Sequence, residues 1–333
     1  MTNPPKPTGC TAVNEHIAKP IPSILWHYTT FAGLQGIITS KTIWATEYRF
    51  LNDREEFQHA RSMALSVVEE EPEFTGEGFP ARDMIGKAVS IAFNTGSLHE
   101  QRLRIMVACF SEKGDQLSQW GRYGSDGTGV SIGLDLRQMR PPSDIGTAVT
   151  FAPCLYKNAD KRSILKAVVA QYRSKLQGCW DSFVKVARRD QIEAGRRDPE
   201  LVWELIGKHS KEQRQVIAEG HAELQFNLLR IAPLLKHEGF SEEQEWRLVL
   251  PIEAIKLPTR RPFHFRAASN TLVPYIAYPL NMENQEGPIA CNSVIVGPGG
   301  HESAEVAVNI FLQIQQIPTQ AQRSAIPFRP PSR

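Results

Sequence analysis

The sequence predicts an α+β fold with a helical insertion, and three observations carry that prediction. The chain opens on an apolar, aromatic-rich run, Ile24 to Tyr28, followed by helix-spaced Phe31, Leu34, Ile37 and Ile38 and a second extended run, Ile43-Trp44-Ala45-Thr46. Extended apolar runs return at 105–111, 130–134, 245–250, 263–265 and 293–296. Between them, residues 158–236 repeat hydrophobic side chains at helical spacing: Ile164, Val168, Tyr172 and Leu176, then Val202, Leu205 and Ile206, then Leu224, Leu228, Leu229 and Ile231.

Each element follows from local chemistry. Residues 1–22 hold Pro4, Pro5, Pro7, Pro20 and Pro22 and read as a flexible arm. Thr29 or Thr30 caps the first helix. Asp53-Arg-Glu-Glu56 has the form of a capping box opening a helix to about Glu70, so Asp53 reads as an N-cap. Asn52 either bonds backbone in that turn or faces a pocket. A second helix is expected over 82–93, a central strand over 105–111 and a short helix over 117–123 ending at Gly124. A glycine-rich turn, 125–129, then enters the strand 130–134. The helical stretch breaks near Asp198-Pro199 into three or four helices. Gly297-Pro-Gly-Gly300 turns into a helix over about 303–315; a phosphate at that helix start and a plain turn are both open. Residues 23–317 read as one domain with 158–236 inserted, and 318–333 as a frayed tail.

Composition narrows the class. Charged residues make up 22% and hydrophobic ones 41%, with a net charge of +2, so no global field points to nucleic acid or an anionic membrane. No apolar run approaches the roughly eighteen residues of a membrane span. The polar N-terminus lacks a signal peptide's apolar stretch, and the five cysteines form no Cys-x-x-Cys pair or zinc-ligand spacing. A cytoplasmic protein without a metal centre is expected. The helical stretch is locally basic, with sixteen Lys and Arg against ten Asp and Glu between Lys157 and Lys236. That is either a solvated face or a surface for an acidic partner.

Six short motifs occur in order across roughly residues 24–312: His27-Tyr28-Thr29, Asn52-Asp53 with Glu55, Cys109-Phe110-Ser111, Trp120-x-x-Tyr123-Gly124, Glu243-x-Glu245-Trp246-Arg247 and Val296-Gly297-Pro298. The chain resembles a broad, mostly bacterial family known as a domain of unknown function, of which these are the marks. The opening motif also resembles the start of the ADP-ribosyltransferase fold. That resemblance implies a core of two facing, mostly antiparallel sheets and an NAD-dependent ADP-ribosyltransferase, with NAD as substrate. It implies a macromolecular acceptor, in a bacterial toxin or phage-defence effector with a cognate antitoxin or immunity protein as partner; the basic helical stretch puts nucleic acid ahead of protein as that acceptor. On the matching positions, His27 would bind the NAD ribose, with Tyr28, Thr29, Asn52 and Ser111 beside it. Tyr123 or Trp120 would cover the nicotinamide, and Glu245 would be the catalytic carboxylate, with Glu243 meeting the acceptor.

The residues themselves permit that chemistry. Splitting ADP-ribose from nicotinamide builds cationic charge on the ribose, which a fixed carboxylate stabilises much as in glycoside cleavage. Two Glu residues two apart project to one side of an extended segment. The register of the late strand leaves the choice between Glu243 and Glu245 open. Other readings are a core histidine at 27, core packing for Trp120 and Tyr123, and a Glu245–Arg247 pair across one face. Two alternative functions stand beside the transferase: a glycosidase or nuclease acting on nucleic acid, and a non-catalytic binding module of the same fold.

Overall fold

The computed structural model describes residues 9–51, 55–93, 103–137, 149–253, 263–268, 270–280 and 289–327. The chain divides into two compact units, each assembled from segments distant in sequence. One comprises Met1–Ala18, Asp53–Gln101 and Leu155–Leu235; the other comprises Lys19–Asn52, Arg102–Cys154 and Lys236–Arg333.

Among the described residues the second unit holds ten strands: β1 (Leu25–Thr29), β2 (Thr42–Glu47), β3 (Leu103–Ser111), β4 (Val130–Leu134), β5 (Thr150–Pro153), β6 (Glu245–Glu253), β7 (Phe263–Ala268), β8 (Thr271–Pro279), β9 (Cys291–Val296) and β10 (Ala321–Arg323). The expected mixed, mostly antiparallel architecture is present; the strands, however, join in one hydrogen-bonded sheet rather than two separate ones. Among the described strands, only β9 and β10 pair in parallel. The sheet forks at β3. One edge of β3 pairs with β6 along its whole length; the other meets β1 at Trp26↔Ser111 and β2 at Thr46↔Val107 and Glu47↔Met106. From β1 the sheet continues through β4 and β9 to β10, and from β2 through β8 to β7.

Side chains alternate across each strand, so one face gathers Leu25, Ile43, Ala45, Met106, Ala108, Phe110, Ile132, Trp246 and Leu248 into a single core. Helices α2 (Phe31–Ser40) and α10 (Ala304–Ile314) contribute Leu34, Ile37, Ile38, Val308 and Leu312 to it. Of the two capping candidates, Thr30 is the cap: its hydroxyl accepts from Gly33 N at 3.0 Å. Thr29 ends β1 instead, paired with Val130.

The first unit is helical: α1 (Thr11–Ile17), α3 (Glu55–Val68), α4 (Ala81–Phe93), α6 (Asn158–Val184), α7 (Arg189–Arg197), α8 (Pro199–His209) and α9 (Lys211–Ile231). The expected insertion therefore does break into four helices, with a boundary at Pro199, but it does not close its own core. α6 packs along α9, and α3 and α4 pack against them. Trp180, fully buried, lies against Phe79 and Phe183 and donates its indole N–H to Glu77 O at 3.1 Å. Within the stretch expected to be a flexible arm, α1 buries Val13, and Cys10, just before it, is buried with its N bonded to Asn227 Oδ1 at 2.9 Å. Among the described residues no helix is long and apolar enough to cross a membrane.

The tail expected to fray is held through residue 325 by partners far away in sequence. β10 pairs with β9, Arg323 donates to the carbonyls of Gly300, His301 and Glu302, and Ser324 Oγ donates to Asp115 Oδ1 at 2.6 Å. Local composition carries no sign of these bonds.

Candidate functional site

The centre of the β unit is the β3–β6 ladder, where Cys109 pairs with Arg247 and Ser111 with Glu245. Directly paired residues share a face, so Cys109, Ser111, Glu245 and Arg247 project from the side opposite the apolar core. A 3-10 turn (Glu238–Glu243) and Gln244 in a left-handed conformation, φ 42°, lead into β6. The two glutamates thus do not lie on one extended segment as expected. They meet at a third residue, Lys236, whose Nζ is 2.5 Å from Glu243 Oε2 and also bonds Glu245 Oε2.

The result is a buried ionic cluster. Lys236 is 0% exposed, Glu243 3%, Arg247 3% and Glu245 5%. Arg247 binds Glu245 through Nε at 2.8 Å and Nη2 at 3.0 Å, and Arg122 Nη1 reaches Glu243 Oε1 at 3.3 Å. Burial pushes the Glu245 carboxyl up, but Arg247, Lys236 and hydrogen bonds from Arg247 and the Cys109 thiol outweigh it and hold Glu245 down at about 2. Burial likewise favours neutral Lys236, yet the Glu245 and Glu243 carboxylates raise its pKa overall, so the ammonium stays charged. Burial, and then the Glu245 carboxylate, pushes the Cys109 thiol well up, making it a hydrogen-bond donor rather than a thiolate.

Tyr123 is half-buried at the end of α5 (Leu117–Arg122). Burial raises its phenol, Lys236 opposes that, and Glu243, Glu245 and Cys109 add to it, which sets its hydroxyl in the field of this cluster. Ser111 is structural: its Oγ donates to Glu243 O at 2.6 Å and accepts from Lys113 N at 3.0 Å, bracing the approach to β6.

His27 reaches the cluster only indirectly. Trp26 pairs with Ser111, so the next residue has the register of the opposite face, with Leu25 and Ile132, and its ring lies 5.8 Å from Phe110. Its Nδ1 is 2.9 Å from the Cys109 carbonyl where β1 stops pairing with β3. A carbonyl only accepts, so Nδ1 carries the proton. Burial lowers the imidazole pKa against that bond, leaving Nε2 as an acceptor at neutral pH. His27 and Glu245 therefore meet the same residue, Cys109, from opposite faces, and the single shared cleft expected for them is not what the register gives.

Two other expected contacts belong to packing. Trp120 is fully buried and donates its indole N–H to Asp115 Oδ1 at 2.7 Å, so its faces are not open to a nicotinamide. Tyr28 stands edge-on to Trp120 at 4.8 Å; its hydroxyl donates to Lys113 O at 2.8 Å and accepts from Gln116 N at 3.1 Å. Thr29 is half-buried, its hydroxyl filling the space that a Cβ on Gly33 would take. Asn52 lies outside the described residues.

Sequence reasoning missed Lys236, Arg122 and the Cys109 thiol as members of the cluster. Arg247, two residues after Glu245 on one strand face, was legible. Lys236 was not, because nothing local distinguishes it from its basic neighbours. The apolar groove between α2 and α10, lined by Phe31, Leu34, Gln35, Ala304, Ala307, Val308 and Phe311, holds no titratable group and offers no acid–base chemistry.

Residues 119–248 match the family model described as "Protein of unknown function (DUF2971)". The match spans Trp120, Tyr123, Lys236, Glu243, Glu245 and Arg247 and leaves His27, Asn52 and Ser111 outside it. No curated protein and no solved structure matches the chain.

Proposed function

We propose that the β unit is the catalytic part of an NAD-dependent ADP-ribosyltransferase that modifies a macromolecular acceptor. The observation that carries the reading is that both acidic residues of the Glu-x-Glu motif gather on one buried ammonium, Lys236, with Glu245 kept ionised at 5% exposure. A fixed anion in a dry site acts most strongly on charge that appears only in the transition state. In this reaction the bond from ribose C1′ to the nicotinamide nitrogen breaks, and nicotinamide leaves neutral with the bonding pair. Glu245 stabilises the cationic ribose. An acceptor heteroatom then bonds C1′ and gives its proton to Glu243. His27 has the register of the opposite sheet face and takes no part in this step.

A second reading, a non-catalytic module, draws on a specific observation. Both Glu245 oxygens are already bonded to cations, and His27 has the register of the other face. On that reading the cluster is a buried ionic strut. Incubating the full chain with NAD labelled in the adenylate part and with total cell lysate separates the two. The transferase moves label to protein or nucleic acid; label that stays in NAD removes the transferase reading and favours the strut.

A further inference from the structure

We propose that Arg122 is the anion-binding residue of this cluster, taking a phosphate or pyrophosphate group of a nucleotide ligand. The charges motivate it. Among the described contacts, Lys236 bonds both Glu243 and Glu245 and Arg247 bonds Glu245, and Arg122 adds a further cation at Glu243. Lys236 and Arg247 are buried and closely bound to the carboxylates, whereas the Arg122 side chain is 48% exposed.

The geometry of Arg122 suits that role. Its one bond within the cluster, Nη1 to Glu243 Oε1, is long at 3.3 Å, and a guanidinium has five donors arranged as a fork. The Phe240 ring lies 4.5 Å from its Cζ, which holds the guanidinium by cation–π attraction while leaving its outward N–H groups to solvent. A phosphate engages such a fork through two parallel charge-assisted bonds, a better partner than a single carboxylate oxygen at this distance.

The proposal rests on the reading that NAD is held at this cluster, and it is tested by binding rather than turnover. Calorimetric titration of the full chain with ADP-ribose, NAD and inorganic pyrophosphate should show binding by the wild type. Arg122→Ala should weaken it by at least about tenfold, and Arg122→Lys should recover part of the loss, because an ammonium keeps the charge without the fork. Glu243→Gln should tighten it by removing the competing carboxylate. A thermal midpoint for Arg122→Lys equal to the wild type excludes a folding effect. Equal affinity in Arg122→Ala, or no heat with any of the three probes, overturns the proposal. NAD turnover with unchanged binding in Arg122→Ala would leave the transferase reading and sink this one. Arg122-dependent binding of ADP-ribose by a protein that releases no nicotinamide would do the reverse.

Discussion

A carboxylate that is almost fully buried ionises only where cations replace the water it has lost, and Glu245 has two of them. Its folded pKa, about 2, lies below the ordinary 4.5. The sign of the linkage follows: the stabilisation is complete above about pH 4.5 and is lost as pH falls toward 2, because the unfolded chain binds the proton first. Denaturant midpoints of the wild type should therefore fall across that window. Glu245→Gln, which cannot titrate, should show a shallower fall there; an identical slope in both would mean that Glu245 is not held as described. Gln also leaves Lys236 and Arg247 facing a neutral amide, so the variant should be less stable at neutral pH. Losing one partner of a buried pair typically costs roughly 3–5 kcal/mol.

Elements were legible where their information is local. Thr30 before a helix-spaced apolar run signals a cap, and the hydroxyl accepts from Gly33 N at 3.0 Å. Thr30→Ala should cost about 1 kcal/mol in chemical denaturation, the usual worth of such a cap; no change would mean that solvent replaces the bond without loss. Val130–Leu134 and the break at Pro199 followed from the same kind of signal. β8 did not, because Pro274 argues against a central strand. The structure shows why it is tolerated: pairing with β2 ends at Thr46↔Tyr275, so Pro274 has a strand neighbour, Phe265, on one side only. β10 and α1 were missed because both depend on residues distant in the chain. The carboxylates of the candidate site were named from a motif. Lys236, which joins them, became visible only once the 3-10 turn and the left-handed Gln244 had folded Glu243 back.

At the scale of the molecule, two units of different composition divide the chain. Much of the basic excess of the helical unit is internally matched: Arg162 and Lys166 pair with Glu70, Arg173 with Glu71, and Lys175 with Glu223. Arg196 is also engaged, bonding Glu193 and the Glu77 carbonyl. Arg188, which pairs with the exposed Asp190 at 3.3 Å, and Arg189 and Arg197 all lie exposed. If this face docks a nucleic-acid acceptor, reversing those three charges should lower acceptor modification and flatten its salt dependence, with NAD affinity unchanged. Equal modification would mark the face as merely solvated.

The measurement closest to the central claim compares NAD affinity by calorimetry with nicotinamide release for the wild type and Glu245→Gln. A carboxylate acting on transition-state charge predicts nearly unchanged affinity and a turnover lower by about 10²–10³-fold. Retained turnover in Glu245→Gln would contradict the assignment of Glu245 as the catalytic carboxylate.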